Sequence, residues 1–235
     1  MSKNQEKLVY PEISQLKLRR LTQYDFPQFQ KAVLESKDSL AKYLEIGVVL
    51  PNVHGIDFMN FYSRMINDER REHYGVFHGW KLLACAYFCE AYDPSGIQIV
   101  YWVREAYLRQ NIGTWTVGNM TRLSWMERDF HFSEMVIDET NIPSRIIALK
   151  HNYFPLKKVQ KKSQGNSSSD SQIIYIHLNP KLNSRAAVHN KRPVDLIGHF
   201  CFIDGLEHLI RDETVNEYFR WKEALPAEEC EDLGS

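Results

Sequence analysis

The segment Tyr101–Thr114, with the sequence YWVREAYLRQNIGT, combines residue types that could bind an anion. An apolar run with strand character ends near Val103, and a loop leads from it into an amphipathic helix that begins near Gly113. Unpaired N–H groups at a helix start, together with the positive end of the helix dipole, favour a pyrophosphate. Gly113 permits close approach of the backbone to a ligand, and Arg109 could reach a phosphate directly. Since many strand–loop–helix junctions bind nothing, the segment alone predicts no more than an anion site.

The cysteines and histidines show no spacing typical of a metal site. Cys85 and Cys89 lie four residues apart in an apolar run, without a second cysteine pair or a histidine pair at zinc-finger spacing. His199 and His208 lack ligand spacing as well. We therefore expect reduced cysteines in the core and no metal.

The elements that position the anion segment follow from the hydrophobic pattern, which switches between strand and helix periods. A strand over Gln15–Leu21 precedes three helices, the first capped by Thr22, the second containing Leu40 and the third starting near Gly55–Asp57. A hairpin of His73–His78 and Lys81–Glu90 follows, and then a strand over Ile97–Val103 and a helix over about Gly113–Arg128. A strand near Glu134–Asp138 and a helix over about Ile142–His151 come next. The last two strands, near Leu156–Val159 and Ser171–Leu178, form a hairpin with a long loop. This order predicts an α+β fold.

The composition narrows the class of protein. The chain has 235 residues, 29 basic against 30 acidic side chains, a formal net charge of −1 and 43% hydrophobic residues. These values indicate a folded globular protein. The balanced charge argues against binding to nucleic acid, although Lys157–Lys162 includes a local basic run. The polar N-terminal stretch and the lack of an 18-residue apolar window predict a cytoplasmic protein with no membrane partner.

From Leu16 to about Leu178 the sequence resembles the GCN5-related N-acetyltransferases, and most closely their ribosomal-protein (RimJ/RimL-like) branch. The stretches that carry the resemblance, in the family's order, are LKLRRLTQYDF, YGVFHGWKLLA, IVYWVREAY, and NIPS followed by KHNY. The resemblance implies a mostly antiparallel central sheet flanked by helices over residues 1–182. It does not explain residues 183–235, whose apolar residues predict a helical C-terminal extension.

The resemblance also implies acetyl-coenzyme A as cosubstrate. Its pyrophosphate would lie on the backbone amides of Arg109–Thr114, and its pantetheine arm would pair with the backbone of Tyr101–Val103 like an added strand. Asn141 would contact the cosubstrate near its thiol, with Ser144 behind it. The implied binding residues are Tyr101, Trp102, Val103, Arg109, Gln110, Asn111, Ile112, Gly113, Thr114, Asn141 and Ser144.

The loop departs from the family's pattern at several positions. The family's leading Gln or Arg falls on Leu108 and its first glycine on Asn111, whereas the last small residue, Gly113, is kept. Arg109 could supply the basic group after a small shift. Because asparagine tolerates a positive φ, Asn111 and Asn152, which both replace family glycines, are compatible with tight turns.

The catalytic positions depart further. The glutamate that acts as general base in many relatives corresponds to Gln98, and the general-acid tyrosine of other branches corresponds to Ala148. A glutamine amide can orient water but takes up no proton at neutral pH. The alternatives for a base, which the sequence leaves open, are Glu90, Asp138, Glu139 and His73.

A site without an evident base is better suited to an α-amine than to a lysine side chain. At pH 7 deprotonation of an α-amine costs about 1 kcal/mol, whereas a lysine costs about 4.6 kcal/mol. We therefore predict acetyl transfer to a primary amine, preferably a peptide or protein N-terminus, by direct attack in a ternary complex.

The alternative is a catalytically weak acyl-CoA-binding protein that acts through a partner docked on residues 183–235. This extension could also cover the acceptor groove or form a homodimer contact. Gln98 and Asn111, where the family has a base and a glycine, motivate this alternative.

Overall fold

A computed structural model describes residues 11–43, 54–92, 94, 96–127, 130, 132–160 and 171–179. The chain divides into two compact units. The first unit is built from Met1–Asp68, His73–Ala86 and Tyr101–Thr116, and the second from Glu69–Glu72, Tyr87–Val100 and Val117–Ser235. The predicted helical extension over residues 183–235 lies outside the described residues and stays a prediction.

Strands and helices occur in the predicted mixed order. The helices are α1 (Phe26–Glu35), α2 (Lys37–Tyr43), α3 (Ile56–Ile66), α4 (Ile112–Glu127) and α5 (Ile142–Lys150). The strands are β1 (Leu16–Arg20), β2 (Glu72–His78), β3 (Lys81–Glu90), β4 (Gly96–Val103), β5 (Phe132–Asp138), β6 (Phe154–Gln160) and β7 (Ser171–Leu178). Short 3-10 turns cover Ile13–Gln15, Gln23–Asp25 and Glu105–Tyr107.

The seven strands form one sheet in the order β1-β2-β3-β4-β5-β7-β6. The pairs β1/β2, β5/β7 and β6/β7 are antiparallel, and β4/β5 is parallel. The α+β class and the β6/β7 hairpin are thereby confirmed. The sequence pattern did not predict that β7 enters the sheet between β5 and β6, which depends on pairing with the distant strand β5.

The first unit has an aromatic core between its helices and the sheet. Phe29 of α1 contacts Phe58 and Tyr62 of α3, with ring centroids 6.0 and 4.8 Å apart, and meets Trp102 of β4 edge-on at 6.1 Å. The Tyr62 hydroxyl donates to the Thr22 carbonyl at 2.7 Å, which joins α3 to the turn before α1. Burial of these rings stabilises the packing of α1 and α3 on the sheet.

The second unit has an apolar cluster on one side of β5, β6 and β7 and a polar group on the other. The cluster contains Phe132, Phe154, Leu156, Ile174, Ile176 and Leu178. The polar group is centred on Tyr153, whose hydroxyl lies 2.7 Å from Thr121 Oγ1 and 2.8 Å from Ser133 Oγ. Because each of these buried hydroxyls has a partner, none carries the cost of an unsatisfied polar group.

Candidate functional site

Strand β4 continues beyond its pairing with β5. Within the described residues, the registered pairing of the two strands covers Gly96–Gln98 with Phe132–Glu134, whereas β4 runs on to Val103. On the other side, the pairing with β3 persists to the end of the strand, since the Arg104 N–H donates to the Leu83 carbonyl at 2.8 Å. The end of β4, at Trp102 and Val103, therefore lies beyond the registered pairing with β5, where an extended ligand could add as a strand.

The loop after β4 has an unusual backbone. Arg109 and Asn111 have φ values of 60° and 59°, and α4 begins at the next residue, Ile112. The predicted compatibility of Asn111 with a positive φ is thus confirmed. Arg109 is not a residue type that favours this region, and the conformation costs about 1–2 kcal/mol for such a side chain. Left-handed residues among successive N–H groups form concave anion sites in proteins.

No described residue accepts a hydrogen bond from the main-chain donors of this loop. Within the described residues, the N–H groups of residues 109–113 form no hydrogen bond, and the first bond into α4 is that from the Trp115 N–H to the Asn111 carbonyl at 2.9 Å. These five consecutive donors lie at the positive end of a 16-residue helix. We call residues 109–113 the amide loop.

Buried side chains hold the amide loop at both ends. Tyr107 before it and Ile112 at its end belong to one apolar cluster with Leu83 and Val103. Gln110 Nε2 donates to the Ala106 carbonyl at 3.2 Å. Gln110 Oε1 is buried and has no hydrogen-bond partner among the described residues. A buried acceptor without a donor is costly, so this atom fits a bound molecule that supplies a donor.

The predicted cosubstrate residues on β4 also serve the core. Trp102 is buried among the aromatic rings of α1 and α3, and Val103 packs against the cluster that contains Ile112. Trp102 is therefore a core residue. Such packing fixes the backbone of the distal β4 segment, which is the part expected to face the ligand.

Asn141 forms the N-cap of α5, as its position before the helix predicts. Its Oδ1 accepts the N–H of Ser144 at 3.3 Å. Arg145 extends this anchor, because its Nε donates to the Tyr175 hydroxyl and its Nη1 to the Glu139 carbonyl, each at 3.0 Å. The predicted contacts of Asn141 and Ser144 with a cosubstrate stay predictions.

Two of the proposed bases, Glu139 and Asp138, are held by hydrogen bonds to other side chains. Glu139 pairs with Lys158 at 2.8 Å and accepts a hydrogen bond from the Ser171 hydroxyl. The Lys158 hydrogen bond is the main cause that lowers the pKa of Glu139, which makes this carboxylate a weaker base. Asp138 Oδ1 accepts from both the N–H and the hydroxyl of Thr140, at 2.9 and 2.6 Å. Both carboxylates hold the turn between β5 and α5.

The other positions named from sequence lie elsewhere on the sheet. Glu90 ends β3 and is exposed, His73 lies on β2, and Gln98 is partly buried on β4. The structure places Gln98 directly opposite Glu134 of β5 in the parallel pair. Their side chains therefore point to the same face of the sheet.

Glu134 is a buried carboxylate that the sequence reasoning did not select. It is 2% exposed, and its Oε1 accepts the N–H of Tyr92 at 2.8 Å. A charged group this deeply buried usually has a specific role. The signal in the sequence was an acidic residue in the interior of the strand FSEMVID, directly before the apolar run Met135–Ile137. Its position beside Gln98 depends on the register of two distant strands and could not be read from that signal.

The structure supports the expectation about the cysteines. Cys85 is buried and Cys89 is partly buried, and both are free thiols. Burial raises the pKa of Cys85 well above its usual range and that of Cys89 to about 11, so neither is a ready nucleophile. Among the described residues, no group of three or more His, Cys, Asp or Glu side chains could hold a metal ion. None of the described helices is long and apolar enough to cross a bilayer.

The fold is that of the GCN5-related N-acetyltransferases, a seven-stranded and mostly antiparallel sheet with flanking helices. The sequence itself matches no family model and no curated protein. Solved structures show the likeness instead. RimL, a ribosomal L7/L12 α-N-protein acetyltransferase in complex with coenzyme A, superimposes with a TM-score of 0.62 at 16% identity, over 70% of this chain and 94% of that chain.

Two further solved structures show the same fold with different acceptors in their names. A ribosomal-protein-S5-alanine acetyltransferase from Vibrio fischeri has a TM-score of 0.59 at 11% identity, over 73% of this chain and 97% of that one. A spermidine N-acetyltransferase from Vibrio cholerae, in complex with CoA and spermine, has a TM-score of 0.59 at 13% identity, over 72% and 98%. The predicted resemblance is thereby confirmed for the fold.

Proposed function

We propose that the protein is an acetyl-CoA-dependent N-acetyltransferase that acts on a primary amine. The observation that carries this proposal is the amide loop, with five N–H groups that no described residue uses at the start of α4. Such a loop suits the pyrophosphate of a coenzyme A thioester. The solved structures with CoA or acetyl-CoA in this fold support the same assignment.

The residues that would hold the cosubstrate are those named from the sequence. The amides of Arg109–Thr114 would bind the pyrophosphate, the guanidinium of Arg109 would add a charge-assisted contact, and Gln110 Oε1 would accept a donor from the ligand. The backbone of Tyr101–Val103 would pair with the pantetheine arm. Bound there, acetyl-CoA supplies the acetyl thioester, and main-chain N–H groups near Val103 would polarise its carbonyl.

The acceptor amine needs to lose a proton, and two side chains on neighbouring strands could assist its removal. Gln98 can orient a water molecule, and the Glu134 carboxylate beside it can receive the proton. We include Glu134 in the proposal because Glu139 and Asp138 are occupied by Lys158 and Thr140. Direct attack by the amine in a ternary complex needs no acyl-enzyme, so Cys85 and Cys89 have no role in it.

The preferred acceptor is a peptide or protein N-terminal α-amine. Its deprotonation at pH 7 costs about 1 kcal/mol, against about 4.6 kcal/mol for a lysine side chain. Among the solved structures of this fold are enzymes named for ribosomal-protein N-termini and one named for spermidine, so polyamines are the competing class.

The experiment that tests the proposal combines calorimetry with CoA and a thiol-release assay with acetyl-CoA. The acceptors would be peptides with free N-termini, polyamines and aminoglycosides. We expect CoA binding, and thiol release that is fastest with the peptides. Binding without release for every acceptor would favour the acyl-CoA-binding protein that acts through a docked partner. No binding would reject both.

The role of Glu134 is tested by Glu134→Gln, with Glu90→Gln as the control. Glutamine can still accept the Tyr92 N–H, so the fold should be retained. We expect kcat to fall about 100-fold, as for loss of a general base, with CoA affinity unchanged. In the wild type kcat should rise with pH as the base ionises. This rise should be absent in Glu134→Gln. A large loss in Glu90→Gln and none in Glu134→Gln would assign the base to Glu90 instead.

A further inference from the structure

Arg104 is a buried arginine between the distal end of β4 and the turn that leads to the amide loop. Only 4% of the residue is exposed. Its Nε and Nη2 donate to the two carboxylate oxygens of Glu35, at 2.5 and 2.7 Å. Nη1 donates to the Leu82 carbonyl at 3.2 Å. Two parallel bonds of this kind fix the planes of both groups and not only their separation.

A second contact joins the same two places in the fold. Ser36, fully buried directly after α1, accepts the N–H of Glu105 on its Oγ at 3.0 Å. The N–H of Ser36 in turn donates to the Ala32 carbonyl at 3.1 Å. The end of α1 is therefore bonded to two consecutive residues, Arg104 and Glu105, that separate β4 from the loop. We call Glu35, Ser36 and Arg104 the clamp.

The clamp is not explained by stability alone. Glu35 lies in the last turn of α1, where the negative end of the helix dipole disfavours a carboxylate. Burial of the Arg104 guanidinium also carries a desolvation cost, because its side chain is only 5% exposed whereas that of its partner Glu35 is 35% exposed. What such a pair supplies is a fixed geometry between the groups that it joins.

The clamp lies where a fixed geometry would matter for the amide loop. The Tyr107 N–H donates to the Arg104 carbonyl at 2.8 Å, and the Leu108 N–H to the Glu105 carbonyl at 3.2 Å. Arg104 and Glu105 thus support the 3-10 turn that delivers the chain to Arg109. A rotation of this turn would be transmitted directly to the left-handed residues Arg109 and Asn111.

We propose that the clamp is a positioning device for the amide loop, which holds the five N–H groups in their ligand-binding arrangement from the end of α1. The clamp residues act through the loop and need not touch the ligand. This inference rests on the proposed function, since the ligand of the loop is taken to be coenzyme A.

A second two-bonded arginine–carboxylate pair in the same unit provides a control. Arg19 Nη1 and Nη2 donate to the two oxygens of Asp25, each at 2.7 Å. This pair joins β1 to the turn before α1 and, in the part of the chain that the structure describes, has no hydrogen bond to residues 104–113. Loss of either pair should lower stability, but only the clamp should change ligand binding.

The experiment compares Arg104→Lys and Glu35→Gln with Arg19→Lys and Asp25→Asn, by CoA calorimetry and thermal unfolding. We expect the clamp variants to raise the Kd for CoA about tenfold, as for loss of a charged hydrogen bond, and the controls to leave it within about twofold. Ser36→Ala, which removes one hydrogen bond only, should give a smaller rise, about threefold. In turnover, Arg104→Lys should raise KM for acetyl-CoA more than it lowers kcat.

The possible outcomes separate the two proposals. If the wild-type protein does not bind CoA, the proposed function fails and the clamp has no such ligand to position. If the wild type binds and the clamp variants bind equally well, the clamp is only structural and this inference is wrong. An equal rise in Kd for both ion pairs would indicate general loosening and would also overturn it. Should the Arg104 and Glu35 variants fail to fold, Ser36→Ala decides.

Discussion

Two short segments of the molecule hold asparagine in the left-handed backbone region and use it in opposite ways. Asn111 precedes α4 and has a φ of 59°, whereas Asn152 follows α5 and has a φ of 58°. At Asn152 the chain closes a helix, because its N–H donates to the Leu149 carbonyl and the N–H of Tyr153 to the Ala148 carbonyl, each at 3.0 Å. These two bonds define a Schellman cap. At Asn111 the neighbouring N–H groups bond to no described residue.

The comparison shows that a positive φ is not in itself a functional sign. The segment after α5 satisfies its own backbone and then buries Tyr153 completely, so its turn serves the core. The donors of the amide loop bond to no described residue, and the loop includes a second left-handed residue, Arg109, that lacks the tolerance of asparagine. Unused donors together with a strained residue distinguish a binding loop from a cap.

Proline placed at each asparagine should affect the two segments in different ways. Proline fixes φ near −65° and removes the N–H, so it cannot adopt either conformation. We expect Asn111→Pro to weaken CoA binding at least about 100-fold, since it removes one donor and displaces others. We expect Asn152→Pro to lower the free energy of unfolding by about 3 kcal/mol, because it removes a cap bond and reverses φ.

Calorimetry with CoA and thermal unfolding of both variants check these expectations. Asn111→Pro should change the Kd for CoA more than the free energy of unfolding. Asn152→Pro should change the free energy of unfolding more than the Kd for CoA. If Asn152→Pro, in the fraction that stays folded, loses CoA binding as fully as Asn111→Pro, the functional distinction between the two segments is wrong.

The features that the sequence could predict are those set by residues close together in the chain. Asn111 and Asn152 were recognised because each replaces a glycine and asparagine tolerates a positive φ. The N-cap at Asn141 is equally local, because its side chain bonds to the N–H of Ser144 only three residues on. The hairpin turn at Gly79, with φ 60°, follows from glycine between two alternating runs.

The part that could not be predicted depends on contacts between distant residues. Glu35 and Arg104 are 69 positions apart in the chain. Glu134 meets Gln98 only through strand register, and Glu139 meets Lys158 only because β7 brings β5 and β6 into one sheet. A shift of one residue in either register would turn these side chains to the other face. The left-handed φ of Arg109 has no local signal at all.

A second test uses pH, since the segment around Tyr153 contacts a histidine. The ring of His177 lies 5.3 Å from that of Tyr153, and its Nδ1 donates to the Leu178 carbonyl at 2.8 Å. Burial lowers the pKa of His177 from 6.5 to about 4, so the folded protein keeps it neutral. The unfolded chain then binds more protons between these values, and stability present above pH 6.5 is lost as the pH falls towards 4.

We expect the wild-type protein to lose about 2 kcal/mol of unfolding free energy between pH 7 and pH 5, and His177→Gln to lose much less. The lowered pKa values of Asp25 and Glu139 act below this window. Thermal unfolding at both pH values is the measurement, with His78→Gln, at the partly buried end of β2, as the control that should keep the wild-type dependence. If His177→Gln retains the full dependence, another group is responsible.

The smallest expected effect concerns Arg109, whose backbone strain and charge act in opposite directions. Arg109→Gly removes a strained left-handed residue, which should offset much of the stability lost through the greater freedom of glycine in the unfolded chain. The same change removes the guanidinium expected to contact a phosphate. We therefore expect stability to change by less than about 1 kcal/mol and the Kd for CoA to rise about fivefold at low salt. The rise should shrink at high salt, because an exposed charge is screened.

Arg109→Lys, which keeps both the charge and the strain, should bind CoA nearly as well as the wild type. A Kd that stays unchanged in Arg109→Gly at low salt would show that the loop binds through its amides alone, and the contrast with Asn152 would then rest on backbone donors without help from the side chain.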